Sequence, residues 1–293
     1  MLPPYREGMR IAVVGDLQRT APILEFFREE NDRERASVVS EITKERPDLL
    51  LFAGDNVFGG GCEAQWRSFD SLTIALRKAG IVAASAFGNH EYWLTRVSAD
   101  EHLFARFPLN ARRHWFSLAM GPLRIVVLDS NKRRLGAKWS EQLAWYAREL
   151  DVFDRDATVR GVLLVVHHPP YTNSSVTGDE IHVQRAIVPR FESAEKTLAM
   201  LNGHVHSYER FLRKGKMYVV SGGGGGPRAR LHTGSRRRHL DDCYDGPALR
   251  AFNFVLYTVT NKGVTAEVRG LAKGASTWAT LDQFVLTFVS VSP

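Results

Sequence analysis

Residues 10–16 read RIAVVGD, an apolar run that stops on Gly-Asp, and a related arrangement returns four more times along the chain. Asp48 to Ala53 ends in Gly54-Asp55, Ile81 to Phe87 in Gly88-Asn89-His90, Gly161 to Val166 in His167-His168, and Thr197 to Leu201 in Asn202-Gly203-His204. Short apolar runs bounded by glycine and polar residues predict buried strands. Between them lie helical patterns. Glu34 to Arg46 places Val38, Val39 and Ile42 on one face and stops at Pro47; Glu63 to Lys78 and Ser140 to Leu150 are the others. Strand and helix alternate, so an α/β fold is expected. Runs at Arg124 to Leu128, Met217 to Val220, Phe254 to Thr260, Val264 to Val268 and Phe284 to Val289 have fewer helices between them and predict a second, more antiparallel sheet.

The 293 residues fit one large domain or two modest ones. With 44% hydrophobic and 24% charged residues, disorder and low-complexity architecture are excluded for the chain as a whole. The first ten residues, MLPPYREGMR, lack the apolar core of a secretory signal. Cytoplasmic residence is therefore the default expectation, and an exported form stays open because a trimmed signal would leave a similar start. No apolar run approaches the ~20 residues of a membrane-spanning helix, so a soluble protein is expected. The net charge of +7 suits an anionic partner, whether phosphorylated small molecule, nucleic acid or membrane, but no DNA- or RNA-binding module accompanies it. Cys62 and Cys243 make neither a disulfide scaffold nor a paired zinc motif; one disulfide remains open.

The strand-end residues Asp16, Asp55, Asn89, His167, His204 and His206 form a set of oxygen and imidazole donors suited to Zn, Fe or Mn. In an α/β sheet, loops at the carboxyl ends of strands converge on one crevice, which lets residues distant in sequence share a site. Alternate residues of an extended His204-Val205-His206 segment send both imidazoles to one side. Taken alone, Asp16 or Asp55 is more often a turn residue and a lone strand-end histidine more often structural, whereas the His204/His206 pair reads evenly either way.

Taken in order, GDLQRT, GDNVF, GNHEYW, VVHHPPYTNS and GHVHSYER resemble the motifs of the calcineurin-like metallophosphoesterases, and within them the purple acid phosphatase branch. Trp115 to Ser130, with GPLRIVVLDS, and Trp139 to Leu150 resemble further segments of that branch; the likeness spans Arg10 to Gly226. The resemblance implies a four-layer αββα sandwich, two mixed sheets flanked by helices, forming a single catalytic domain over residues 1–293. It also implies a binuclear centre of Fe, Zn or Mn. Asp55 would bridge the ions, Asp16 and His206 would belong to the first, and Asn89, His167 and His204 to the second. His90 would stand just outside, near the leaving group or a phosphoryl oxygen. Two metal ions about 3.5–4 Å apart activate water and stabilise both oxygens of an in-line displacement. A phosphoester hydrolase is expected, with a small phosphomonoester preferred and a phosphodiester or nucleotide as the alternative. A metal-binding or ligand-sensing protein with little turnover is the rival of another class.

Two positions depart from the family pattern. Where most members carry histidine two residues after the first aspartate, this chain has Gln18, and where the purple branch carries tyrosine it has Phe58. A phenyl ring cannot coordinate, so the purple colour is not expected. Gln18 offers a neutral amide oxygen, a weaker ligand. Three completions are open: Gln18 as ligand, added water, or a first site only partly filled.

Candidate substrate contacts are Arg19, His168, Tyr171, His182 and Arg210. For Arg210 a structural ion pair is an equal alternative, and alternation allows His168 to face the other side of its strand. A Gly/Arg-rich loop at 221–247, opening with five glycines and including Arg236-Arg237-Arg238, reads as flexible and exposed. Its arginines are a further candidate for phosphate binding. Sequence leaves the oligomeric state open.

Overall fold

The computed structural model describes residues 2–20, 28–94 and 99–289. Twelve strands are placed among them: β1 (Met9–Val14), β2 (Leu49–Phe52), β3 (Ala83–Ser85), β4 (Phe116–Met120), β5 (Leu123–Leu128), β6 (Gly161–Val166), β7 (Thr197–Asn202), β8 (Tyr208–Arg213), β9 (Lys216–Ser221), β10 (Phe252–Val259), β11 (Gly263–Leu271) and β12 (Ala279–Thr287). The helices are α1 (Asp32–Glu45), α2 (Glu63–Leu72), α3 (Ile74–Lys78), α4 (Ala99–Arg106), α5 (Lys132–Leu135), α6 (Lys138–Arg155), α7 (Ile181–Ala186) and α8 (Val188–Ser193).

Two six-stranded sheets form, in the orders β12-β11-β10-β1-β2-β3 and β4-β5-β6-β7-β9-β8. β1, β2 and β3 run parallel, as do β5, β6, β7 and β9, while the outer strands are antiparallel. The period-2 alternation of β1 shows how the layers arise. Met9, Ile11 and Val13 enter the core between the sheets with Ile125, Val127, Leu163 and Val165; Ala12 and Val14 face outward to Val38, Val39 and Ile42 of α1. On the far side, Trp139, Tyr146, Leu150 and Phe153 of α6 cover the outer face of β5, β6 and β7. The result is the four-layer αββα sandwich, with two mixed sheets flanked by helices.

Three expectations change. No separate antiparallel sheet forms: Arg124 to Leu128 and Met217 to Val220 join the sheet of β6 and β7, while the three C-terminal strands extend the sheet of β1 because β10 pairs antiparallel with it. The helix expected over Glu63 to Lys78 breaks at Thr73, whose hydroxyl donates to the Phe69 carbonyl (2.8 Å), a local bond that competes with helix continuation. β4 and β8, edge strands of mixed polarity, were not anticipated. Cys62 and Cys243 are unpaired. Among the described residues no helix is long and apolar enough to cross a membrane.

Candidate metal centre

The loops leaving the carboxyl ends of β1, β2, β3, β6 and β7 meet at one edge of the sandwich, tied by backbone hydrogen bonds across both sheets. Gly15 N–H donates to the Ser221 carbonyl, Asp16 N–H to Gly54, Gln18 N–H to Asp55 and Gly203 N–H to His167, all at 2.8–3.0 Å. Asp16, Asp55 and His204 each adopt a left-handed backbone, with φ of 61°, 56° and 68°. Such a conformation costs a non-glycine residue about 1–3 kcal/mol and persists where the surroundings over-determine it. Three chemically matched residues sharing it at one spot mark a built site.

Carbonyls fix two of the imidazoles. His167 Nδ1–H donates to Ala53 O (2.7 Å) and His206 Nδ1–H to Pro227 O (2.8 Å), leaving each Nε2 lone pair turned inward. His167 Nε2 then lies 3.3 Å from Asp55 Oδ2 and 3.2 Å from Asn89 Oδ1, and Asn89 Oδ1 is 3.0 Å from His204 Nδ1. On the other side, Asp16 Oδ1 is 3.4 Å from His206 Nε2 and accepts the His204 N–H at 3.0 Å, while Gln18 Nε2 is 3.1 Å from His206 Nε2. Asp16, Asp55 and His167 each bring a ligand atom within 4.8 Å of the others.

Some of the lone pairs gathered here lack a donor. Asp16 Oδ2 and Gln18 Oε1 are buried with no hydrogen-bond partner, a costly state that a cation would relieve. The carboxylates and imidazoles also shift one another's protonation. Burial opposes charge on His167, yet Asp55 and Asp16 outweigh it and push the imidazole up to about 10; burial also works against Asp55, but His167 and His90 hold its carboxyl far below the usual range. His204 is driven down to about 3 by burial and by His167. The donor set of carboxylate, amide and imidazole fits hard to borderline divalent or trivalent ions.

Sequence reasoning passed over Glu91, which binds the motif loops together. Buried in full, its carboxylate accepts the backbone N–H groups of Asp55 (2.9 Å), Asn56 (2.7 Å) and Gly88 (2.7 Å). Burial and the neighbouring Asp55 raise its pKa to about 7. The only local signal was its place directly after Asn89-His90. His90 donates its backbone N–H to Asp55 Oδ1 (2.9 Å) and its Nδ1–H to the Phe58 carbonyl (2.7 Å). The Phe58 ring packs on His90 and on Trp93, at centroid distances of 4.9 and 5.4 Å. In place of a ligand, Phe58 is part of the wall that holds His90.

A cleft of about 480 Å³ opens over Asp55, Asn89, His90, His204 and His206, and Arg28, Arg228 and Arg230 line it along with Trp93. Arg228 is held by Glu29 at 2.6 and 2.9 Å. The Gly/Arg-rich loop therefore supplies cations to the cleft, but from its start. The triplet Arg236 to Arg238 is elsewhere, with Arg238 bonded to the Thr172 and Ser174 carbonyls. The glycine run is also buried and not exposed: Gly224 N–H donates to Gly15 O and Gly226 N–H to Asp16 O, both at 2.9 Å. A Cβ on Gly226 would sit 2.7 Å from His206 Nδ1, so the chain passes too close to the ligands for a side chain.

The proposed substrate contacts scatter. Arg210 is corrected to a structural ion pair, its guanidinium clasped by Asp282 of β12 at 2.7 and 3.2 Å. Tyr171 packs against Tyr218 with the Arg213 guanidinium 3.8 Å above its ring, away from the cleft. Arg19 pairs with Asp32 (3.0 Å) and lines a separate small cavity beside Phe58. His182 is outside the cleft, bonded to the Ser130 carbonyl (2.6 Å) and Glu180 (2.5 Å). His168 is buried on the far side of His204, their rings 4.5 Å apart; with His167 and His204 it offers three ligand atoms within 4.8 Å.

A family model described as calcineurin-like phosphoesterase matches residues 9–208. Purple acid phosphatase 21 of Arabidopsis thaliana is 25% identical over 245 residues, covering 76% of this chain and 51% of its own length. Among solved structures, a purple acid phosphatase from yellow lupin (Lupinus luteus) seeds superposes with a TM-score of 0.76 at 18% identity, over 97% of this chain and 55% of that one. A dimetal phosphatase from Danio rerio superposes with a TM-score of 0.62 at 14% identity, over 97% of this chain and 100% of that one. The chain spans about half the length of the curated relatives it matches over most of its own length.

Proposed function

The chain belongs to the calcineurin-like phosphoesterase family, and we propose that it is a metal-dependent phosphoester hydrolase with two metal ions, acting on a small phosphomonoester. The observation that carries this reading is the convergence of Asp16, Gln18, Asp55, Asn89, His167, His204 and His206 from five loops, with inward lone pairs and two orphaned buried oxygens.

In this reading Asn89, His167 and His204 would hold one ion, Asp16, His206 and Gln18 the other, and Asp55 would serve both. Half a turn of the Gln18 amide exchanges its nitrogen for the orphaned oxygen beside His206. When bound, a metal pair of this kind polarises the phosphoryl group and activates water as the attacking nucleophile. The chain's own residues do the rest. His90, locked on the Phe58 carbonyl and braced by Phe58 and Trp93, keeps Nε2 3.9 Å from Asp55 Oδ2, facing the cleft beside the place a phosphoryl or leaving oxygen would take. Arg28, Arg228 and Arg230 concentrate anions at the mouth. A phosphodiester or nucleotide is the alternative substrate, drawn to the same arginines by its charge.

Chelated protein reloaded with Mn, Zn or Fe should bind two ions per chain and hydrolyse p-nitrophenyl phosphate with a higher kcat/KM than the bis-ester. Full activity at one ion per chain would overturn the binuclear reading. A clear preference for the bis-ester would overturn the monoester assignment and leave the hydrolase intact.

A further inference from the structure

A second basin lies behind the metal centre. It has a volume of about 890 Å³ and is walled on one side by the segment after β5 and on the other by α7, with His168 at its base. Lys132, Arg133 and Arg134 come from the first wall and Arg185 from the second, and all four are exposed. We infer that this basin binds a compact, multiply phosphorylated anion at a site separate from the metal cleft.

None of the four cations has a side-chain ion pair or hydrogen bond among the described residues. The one carboxylate lining the basin, Glu180, is already engaged by His182 Nδ1, and His182 Nε2 donates to the Ser130 carbonyl. With both ring nitrogens facing acceptors, His182 forms a closed pair with Glu180, so that carboxylate does not offset the four cations. Some basic groups elsewhere are paired, Arg190 with Asp151, Arg213 with Asp241 and Lys214 with Glu192, and others such as Arg148 are not; what sets these four apart is that they line one concavity together. Four unpartnered cations around one concavity repel each other, and an anion with several charges removes that cost at a single stroke. Guanidinium forks match phosphate oxygens bidentately. No phenylalanine, tyrosine or tryptophan lines the basin, so it lacks the stacking platforms that hold single-stranded nucleic acid. Separation from the cleft is set by two imidazoles, with His168 facing the basin and His204 the cleft.

The test uses the whole metal-loaded chain and titration calorimetry at 0.15 M salt with two probes, inositol hexakisphosphate and inorganic tripolyphosphate, which separate a phosphorylated ring from a linear polyphosphate. At least one probe should bind saturably. The double variant Arg133→Glu/Arg134→Glu should weaken it at least tenfold, while Arg230→Glu in the metal cleft changes it less than threefold. Because Arg133 and Arg134 are exposed, the double variant should keep its fold, and Arg133→Gln/Arg134→Gln should show an intermediate loss. The inference is overturned if neither probe binds, if Arg230→Glu and not the double variant abolishes binding, or if only a single-stranded oligonucleotide binds. Hydrolysis of p-nitrophenyl phosphate by the double variant should stay within threefold of the parent. Loss of that activity in the parent itself would count against the hydrolase reading and leave the binding result standing.

Discussion

On the side of Asn89, His167 and His204, every donor is one the family pattern expects; on the side of Asp16, Gln18 and His206, a neutral amide and a phenyl ring replace an imidazole and a phenol. The two sides nevertheless share their construction. Each has an imidazole locked by a backbone carbonyl, at 2.7 Å for His167 and 2.8 Å for His206, and each has a candidate ligand held at positive φ. The comparison separates what the scaffold must keep from what it lets vary. Left-handed turns and carbonyl locks are set by the strands, whereas Gln18 and Phe58 occupy positions with ordinary backbone, where a side chain can change without refolding the loop.

The complete side should be the harder one to alter. Asn89→Ala removes an oxygen approached by two imidazoles and should cut turnover of p-nitrophenyl phosphate by about 10³-fold, in line with the loss of a preorganised polar group at a reacting centre. A far-ultraviolet spectrum and melting curve close to the parent would assign that loss to chemistry. Activity within tenfold of the parent would mean that the two sides do not differ as described.

The atypical side should respond more gently and mainly in metal binding. Gln18→Ala should weaken one of two ions by about 10–100-fold, the range seen when a supporting group around a metal is lost, and leave the other in place. Metal counted after equilibrium dialysis checks this, and two ions retained at parental affinity would remove Gln18 from the ligand set. Phe58→Tyr loaded with ferric iron sharpens the same point: a new visible absorption band is expected if the added hydroxyl reaches the first ion. An unchanged spectrum would show that the ring is committed to packing on His90 and Trp93.

Much of this arrangement was legible because its signals are local. Gly-Asp, Gly-Asn-His and Gly-His-x-His after apolar runs announce strand ends, and the ligands follow within two or three residues. What escaped depends on partners distant in the chain. Asp282, which occupies Arg210, is 72 residues further on, and no local pattern pairs them. The membership of β10 in the sheet of β1 is likewise a long-range pairing, Ile11 opposite Tyr257. Arg228 and Arg230 reach the cleft because the glycine run before them threads against Asp16 and His206, a close approach that sequence registers only as a surplus of glycine. Composition suggested mobility there; packing explains the glycines instead.

The smallest of these effects concerns what stands behind Asn89 and His90. His114 stacks on Phe87 at 4.5 Å and sits between Asp100 (3.1 Å) and Asp129 (3.2 Å), with the Tyr92 hydroxyl donating to the same Asp129 oxygen. Burial disfavours charge on this imidazole, but the two aspartates outweigh it and push its pKa up to about 9 from an ordinary 6.5. A base whose pKa is raised by folding binds its proton more tightly in the native state. The stabilisation is therefore complete below about pH 6.5 and disappears as pH rises through about 9. Discounting for the partly exposed Asp100, it is on the order of 1–2 kcal/mol. His114→Asn should lose that much more stability at pH 6 than at pH 9.5, measured by urea unfolding at both values. An equal loss at the two pH values would show that His114 supports the Asn89-His90 turn by packing alone.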